Sequence, residues 1–254
     1  MRPPIVVRAL VVFAIILGAL PPLARANRVG AFGGLNGSVA SGGVSCVVCH
    51  GAMAGTGMVQ ILNVPAQYQL NTSYDLIVRV SDPVQVGAGF EISAEDAVGN
   101  HIGALILTDP VNTRVAPGLA GFVTHTATGV NNSVINWIAL GHAAQYAVRW
   151  QAPPADMGPV TFYAAGNAIN NNFLVTGDLI YLTNVTTMSP AVVPDDFDGD
   201  GDVDLADWTA MVGCLQGPGV MPTNGQCLVL DADQDDDIDL RDVAAFQRNF
   251  TGPG

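Results

Sequence analysis

The sequence predicts a mainly β protein: an antiparallel β-sandwich followed by a small α-helical module built on two duplicated, EF-hand-like calcium loops. Three observations carry this expectation. Between residues 59 and 187 run eight short segments rich in β-branched and aromatic residues, separated by turn signals. No amphipathic helical stretch is evident between them, which argues against a parallel sheet. Near the C-terminus two aspartate ladders, residues 196–207 and 231–242, repeat one pattern 35 positions apart (231 − 196).

The chain opens with a segment that reads as an export signal. Residues 1–8 carry two arginines, residues 9–20 are an apolar run, and Ala24-Arg25-Ala26 is a small-x-small cleavage site. Residues 1–26 are therefore expected to be a signal peptide, with the mature chain starting at Asn27. A membrane-spanning helix needs about 20 apolar residues, so no stable membrane span is expected after cleavage. Removing Arg2, Arg8 and Arg25 takes the formal charge from −13 to −16. The sequence has no lysine, and 14 of its 22 acidic residues lie at or after Asp195. Nucleic acid is excluded as a partner on this basis, because phosphate contacts need clustered Lys or Arg.

Residues 27–58 are rich in Gly, Ser and Ala and contain Cys46-Val47-Val48-Cys49-His50. This is the pattern of c-type haem attachment, in which two thiols take the vinyl groups and the adjacent imidazole takes an axial iron position. Two other readings stay open: a Cys46–Cys49 disulfide with His50 as a polar neighbour, or zinc with a fourth ligand from elsewhere. The segment is too short for an ordinary cytochrome fold, so a haem would need a pocket borrowed from the sandwich. Candidates for a sixth ligand are His125, His142, Met53 and Met58.

The sandwich is expected over residues 59–188. Its strands are placed at residues 74–80, 89–93, 102–107, 121–125, 133–138, 146–150, 160–163 and 179–182. Turn signals lie between them, among them Ser81-Asp82-Pro83, Asp109-Pro110 and Ala152-Pro153-Pro154. The block contains residues 76–82, 89–92, Thr124-His125-Thr126, Trp150-Gln-Ala-Pro153, Phe162-Tyr-Ala-Ala-Gly-Asn167 and Gly177-Asp178. In these stretches residues 45–185 resemble bacterial reelin-N-terminal-like (Reeler, or choice-of-anchor) domains. The resemblance implies an immunoglobulin-like sandwich of an exported protein, suited to adhesion or binding. Bacterial members often carry a cysteine-histidine motif ahead of the sandwich, and often a histidine where His125 stands, so the resemblance implies His125 as the preferred sixth ligand. Asp178, beside Gly177, reads as structural.

Residues 189–194 read as a linker, and residues 195–254 as the calcium module. A twelve-residue calcium loop supplies oxygens from positions 1, 3, 5, 7, 9 and 12. In the first loop these are Asp196, Asp198, Asp200, Asp202 through its carbonyl, Asp204 and Asp207. In the second they are Asp231, Asp233, Asp235, Asp237 through its carbonyl, Asp239 and Asp242. Gly201 occupies the sharp turn at position 6, where the second loop has Asp236, a residue that tolerates the left-handed region better than most. A solvated acidic run has no reason to repeat in register, with Val203 and Ile238 both at position 8. Trp208, Met211, Val212 and Leu215 follow the first loop at helical spacing, and Val243, Phe246 and Phe250 the second. Cys214 and Cys227 bracket a Gly- and Pro-containing stretch and are expected to form a disulfide, with two free thiols as the alternative.

Two calcium loops, each followed by one helix, resemble a type I dockerin. The resemblance implies docking to a cohesin domain. Better-known dockerins often carry Ser or Thr at loop positions 10 and 11, where this chain has Leu205-Ala206 and Leu240-Arg241. The partner is accordingly a cohesin-like or another surface protein.

No Gly-x-Ser-x-Gly, His-Glu-x-x-His or Walker-type loop occurs in the sequence. The expectation is an exported, non-catalytic modular protein, tethered through calcium, with a sandwich that binds an unknown ligand and carries one c-type haem. The competing expectations are an extracellular electron-transfer protein and an accessory to polysaccharide breakdown.

Overall fold

The computed structural model describes residues 27–51, 55–189, 193, 195–198, 201–222, 227 and 230–252. The signal-peptide reading of residues 1–26, most of the linker, Met53 and the ligand Asp200 lie outside the described residues.

Among the described residues, nine strands form two antiparallel sheets. The first has the order β1 (Met58–Leu62), β2 (Ser73–Ser81), β7 (Ala143–Gln151), β4 (Ala104–Ile106). The second has the order β5 (Thr113–Val115), β6 (Val123–His125), β3 (Gly87–Glu95), β8 (Val160–Ile169), β9 (Leu179–Thr187). Alternation along the strands fixes which side chains meet between the sheets. Leu76, Val78 and Val80 of β2 and Tyr146, Val148 and Trp150 of β7 face Phe90, Ile92, Phe162 and Ala164 of the second sheet in one buried cluster. Trp150 anchors it: its ring meets Phe162 edge-on at 5.0 Å, and its indole N–H donates to the Ile102 carbonyl at 2.9 Å.

β3 is buried along all nine residues. One face is apolar core. The other carries Gly87, Gly89, Glu91, Ser93 and Glu95, three of them polar, and the chain has to cover these with partners.

One expected strand is a helix. Residues 133–138 belong mostly to α2 (Ala127–Asn136), whose N-terminus is capped by the Thr126 hydroxyl accepting from the Gly129 N–H at 3.0 Å. Val130, Ser133 and Trp137 fall at i, i+3 and i+7 and are buried, so a 3.6-residue period governs a stretch whose β-branched content suggested a strand. Strands β1 and β5 are additional to those expected.

In the C-terminal part, α3 (Leu205–Cys214) and α4 (Leu240–Asn249) each begin with a capping box, Asp204 with Asp207 and Asp239 with Asp242. Val203, Met211, Val243 and Phe246 form their shared core, with Phe197, Trp208 and Leu215 packed against it. Val212 and Phe250, expected on the apolar stripes, are exposed. The two halves exchange backbone bonds. The carbonyl of Val203, in the first loop, accepts from Thr251 and Gly252 after α4, and that of Ile238, in the second, accepts from Gln216 and Gly217 after α3. Cys214 and Cys227 form the expected disulfide. Among the described residues no helix is long and apolar enough to cross a membrane.

Candidate functional site

Residues 27–51 are laid along the outer, polar face of β3. Glu91 Oε1 accepts from the backbone N–H of Gly34 at 3.0 Å and of Leu35 at 2.7 Å. The Asn36 amide donates to Ser93 Oγ at 2.7 Å, and the Ala40 N–H to Glu95 Oε2 at 2.8 Å. A buried carboxylate is tolerated only when such donors converge on it. Burial still pushes the Glu91 carboxyl up to about 7, against the two N–H groups of Leu35 and Gly34, which favour its charge. Its second oxygen, Oε2, is buried with no hydrogen-bond partner among the described residues.

This strap delivers the cysteine-histidine motif to the sheet. The Cys46 N–H donates to the Leu35 carbonyl at 2.9 Å, and α1 (Val47–His50) follows as a single turn. Cys46 and Cys49 are three residues apart and so share a face of that turn. They are not bonded to each other. Burial, with the neighbouring Glu91 charge adding to it, pushes the Cys46 thiol up to about 12, whereas Cys49 is exposed.

His50 lies over the β8–β9 edge. Its Nδ1 is 3.0 Å from Asp178 Oδ2, and Asn167 Nδ2 is 3.2 Å from its Nε2 and 3.4 Å from its Nδ1. Asp178 is buried, with its other oxygen accepting the Asn170 N–H at 3.1 Å. The sequence reading of Asp178 as structural missed this contact, because 128 residues (178 − 50) separate the pair. His125, at the end of β6, is buried. Its Nδ1 takes the Phe90 N–H at 3.0 Å, and burial pushes the imidazole down to about 4. Its ring lies across Gly89, where a Cβ would stand 2.5 Å from His125 Cε1.

Both cysteines, His50 and His125 line one cavity of about 410 Å³. Phe32, Leu35, Ile169, Phe173 and Leu174 supply its apolar wall. Arg28 stands at its edge with the guanidinium 4.7 Å above the Phe173 ring, donating to Asn171 Oδ1 at 2.9 Å. His142 and Met58 do not line it. Among the described residues, the groups of three or more side chains close enough to share a metal ion are all aspartates of the C-terminal loops. The cysteines and His50 are not gathered as a tetrahedral zinc site would require.

The first of those loops brings Asp196, Asp198 and Asp207 together, and also Asp202, Asp204 and Asp207, with one oxygen of each within 4.8 Å of the others. The second loop repeats both groups with Asp231, Asp233 and Asp242, and with Asp237, Asp239 and Asp242. Asp235 instead meets the Arg241 guanidinium at 3.0 Å. Asp207 and Asp242 are the buried centres. Asp207 accepts from the N–H groups of Phe197, Asp198 and Asp204, and Asp242 from those of Ala232 and Asp239. Position 6 is left-handed in both loops, Gly201 at φ 100° and Asp236 at φ 69°, so the aspartate adopts the turn its glycine counterpart makes. Asp233 titrates above the usual range, first from desolvation and then from the Asp235 and Asp242 charges.

No protein-family model and no curated protein matches the sequence. Among solved structures the chain is similar to the Reelin-N domain of F-spondin, at 19% identity over 57% of this chain and 94% of that one, with a TM-score of 0.40. It is likewise similar to the human F-spondin reeler domain, at 17% identity over 54% of this chain and 92% of that one, with a TM-score of 0.37. At that similarity the two-sheet architecture rests on this chain's own strand register.

Proposed function

We propose that this chain is an exported, non-catalytic modular protein whose β-sandwich carries one covalently attached c-type haem and whose C-terminal module tethers it, through calcium, to a surface or extracellular assembly. The cavity on the outer face of the second sheet carries this reading. It gathers both thiols of the motif and two imidazoles in an apolar wall, and its volume falls within the usual range of cofactor sites. Cys46 and Cys49 would hold the haem by thioethers and His50 would ligate its iron; His125 is the other imidazole of the cavity. Bound there, the haem supplies one-electron redox chemistry. Arg28 is placed to meet a carboxylate at the cavity edge. The apolar wall keeps water away, and the strap held by Glu91 and Glu95 keeps both cysteines against the sheet.

Calcium is the reading for the aspartate loops because two groups of clustered carboxylates in each would repel one another without a cation. A hard divalent ion accepting six to eight oxygens answers that repulsion. The duplicated loops and their resemblance to a type I dockerin point to a cohesin-like or other surface protein as the docking partner. The Reeler-like resemblance of residues 45–185 points to binding or adhesion by the sandwich.

An extracellular electron-transfer role is the second reading. Cys49, one of the two attachment thiols, is exposed, which supports access of an electron-transfer partner to this site. The test is expression in a host with c-type haem maturation. A Soret band in the native protein that disappears in the Cys46→Ala/Cys49→Ala variant supports the proposal, and a colourless native protein removes the haem from it.

A further inference from the structure

We infer that Asp178 is a positioning residue for His50: its buried carboxylate holds the proton on Nδ1 and thereby presents the Nε2 lone pair to the cavity. The inference deepens the haem reading and rests on it for its redox consequence.

The geometry narrows the choice of tautomer. Asp178 is 1% exposed, and its Oδ1 is engaged by the Asn170 N–H. Its Oδ2 is buried with no hydrogen bond among the described residues, and His50 Nδ1 stands 3.0 Å from it. A buried carboxylate oxygen left without a donor is destabilising, so the ring nitrogen facing it carries the proton. The Asn167 amide nitrogen, a donor, lies 3.2 Å from Nε2 and 3.4 Å from Nδ1 and so does not choose between them. The Asp178 carboxylate, which faces Nδ1, selects the form with Nδ1 protonated and Nε2 free to accept. That is the arrangement by which a carboxylate orients a metal-binding imidazole and raises its basicity.

The local chain is built for this contact. Gly177, at φ 80°, turns the backbone immediately before Asp178, and its carbonyl accepts from the Gln85 amide at 2.9 Å. The carboxylate is thus fixed from the β8–β9 connection, while His50 arrives on the strap. Two segments distant in sequence meet at one hydrogen position.

The test uses the full-length mature chain and two readouts. In ¹⁵N-labelled protein without haem, at about pH 8 where an ordinary imidazole is neutral, long-range ¹⁵N–¹H spectra of His50 are expected to show the Nδ1–H form. Asp178→Asn keeps an oxygen for the Asn170 N–H and removes the acceptor facing His50, so the Nε2–H form should replace it. In haem-loaded protein the same variant should shift the ferric–ferrous equilibrium about tenfold toward ferrous, because a less basic imidazole donates less to iron. An Nε2–H form in the native chain overturns the inference, and needs no variant to be made. An unchanged tautomer in a folded Asp178→Asn protein overturns it too. A tautomer switch in a protein that takes up no haem supports the Asp178 assignment while removing the haem reading, so the two can fail separately.

Discussion

Glu91 Oε1 and the backbone N–H of Leu35 lie 2.7 Å apart, and this bond pins the strap that carries the cysteine-histidine motif to the second sheet. The same carboxylate is buried and titrates near 7, above its ordinary 4.5. A raised acid contributes its stability fully below the unfolded value and loses it as pH rises through the folded one. Between pH 4.5 and about 7 the native protein should therefore lose stability from Glu91, on the order of 3 kcal/mol at full ionisation. Glu91→Gln keeps an acceptor for Gly34 and Leu35 and removes the titration. Melting curves at acid and neutral pH should show the variant gaining on the native chain as pH rises. A constant difference between the two would contradict the burial of Glu91.

Gly89 is required by the approach of His125. A Cβ at position 89 would stand 2.5 Å from the ring, and the ring is held from the other side by the Phe90 backbone. Gly89→Ala is expected to destabilise the sandwich by about 1–3 kcal/mol through overpacking, measured by denaturant titration. In haem-loaded protein, His125→Ala should change the spin state seen in the visible spectrum if this imidazole occupies the sixth position. An unaltered spectrum assigns that position elsewhere.

The aspartate loops should couple folding to calcium. Chelation of the full chain should remove the far-ultraviolet helical signal of α3 and α4 while leaving the near-ultraviolet signal of the buried Trp137 and Trp150. Asp207→Asn with Asp242→Asn neutralises the two buried centres and should weaken calcium binding by on the order of tenfold at each site, by calorimetry. Unchanged affinity would place the ion away from these carboxylates.

Cys214 and Cys227 close a short loop between α3 and the second aspartate ladder. Replacing both by Ser should cost the module about 3 kcal/mol, the size expected for a loop of this length. Non-reducing peptide mapping should recover the two cysteines in one linked pair, and free thiols there would remove the staple.

The aspartate ladders, the disulfide and most of the strands were legible because each is a local pattern. Repetition in register exposed the loops, and period-two alternation exposed β2 and β7. What was not legible depends on contacts between distant segments. The strap is held by its backbone N–H groups meeting Glu91 and Glu95, and backbone donors leave no mark in a sequence. Asp178 looks like any turn aspartate until His50 arrives beside it. Helix α2 was hidden by its composition: Val134 and Ile135 suggested a strand, and the deciding signal was the spacing of Val130, Ser133 and Trp137 behind the Thr126 cap.

The most direct measurement is the intact mass, under denaturing conditions, of mature protein from a host with c-type haem maturation. The account predicts a chain heavier by one haem, with the addition lost in Cys46→Ala/Cys49→Ala. A mass equal to the polypeptide alone, lighter only by the hydrogens of its disulfides, would contradict it and leave a calcium-tethered binding module without a redox centre.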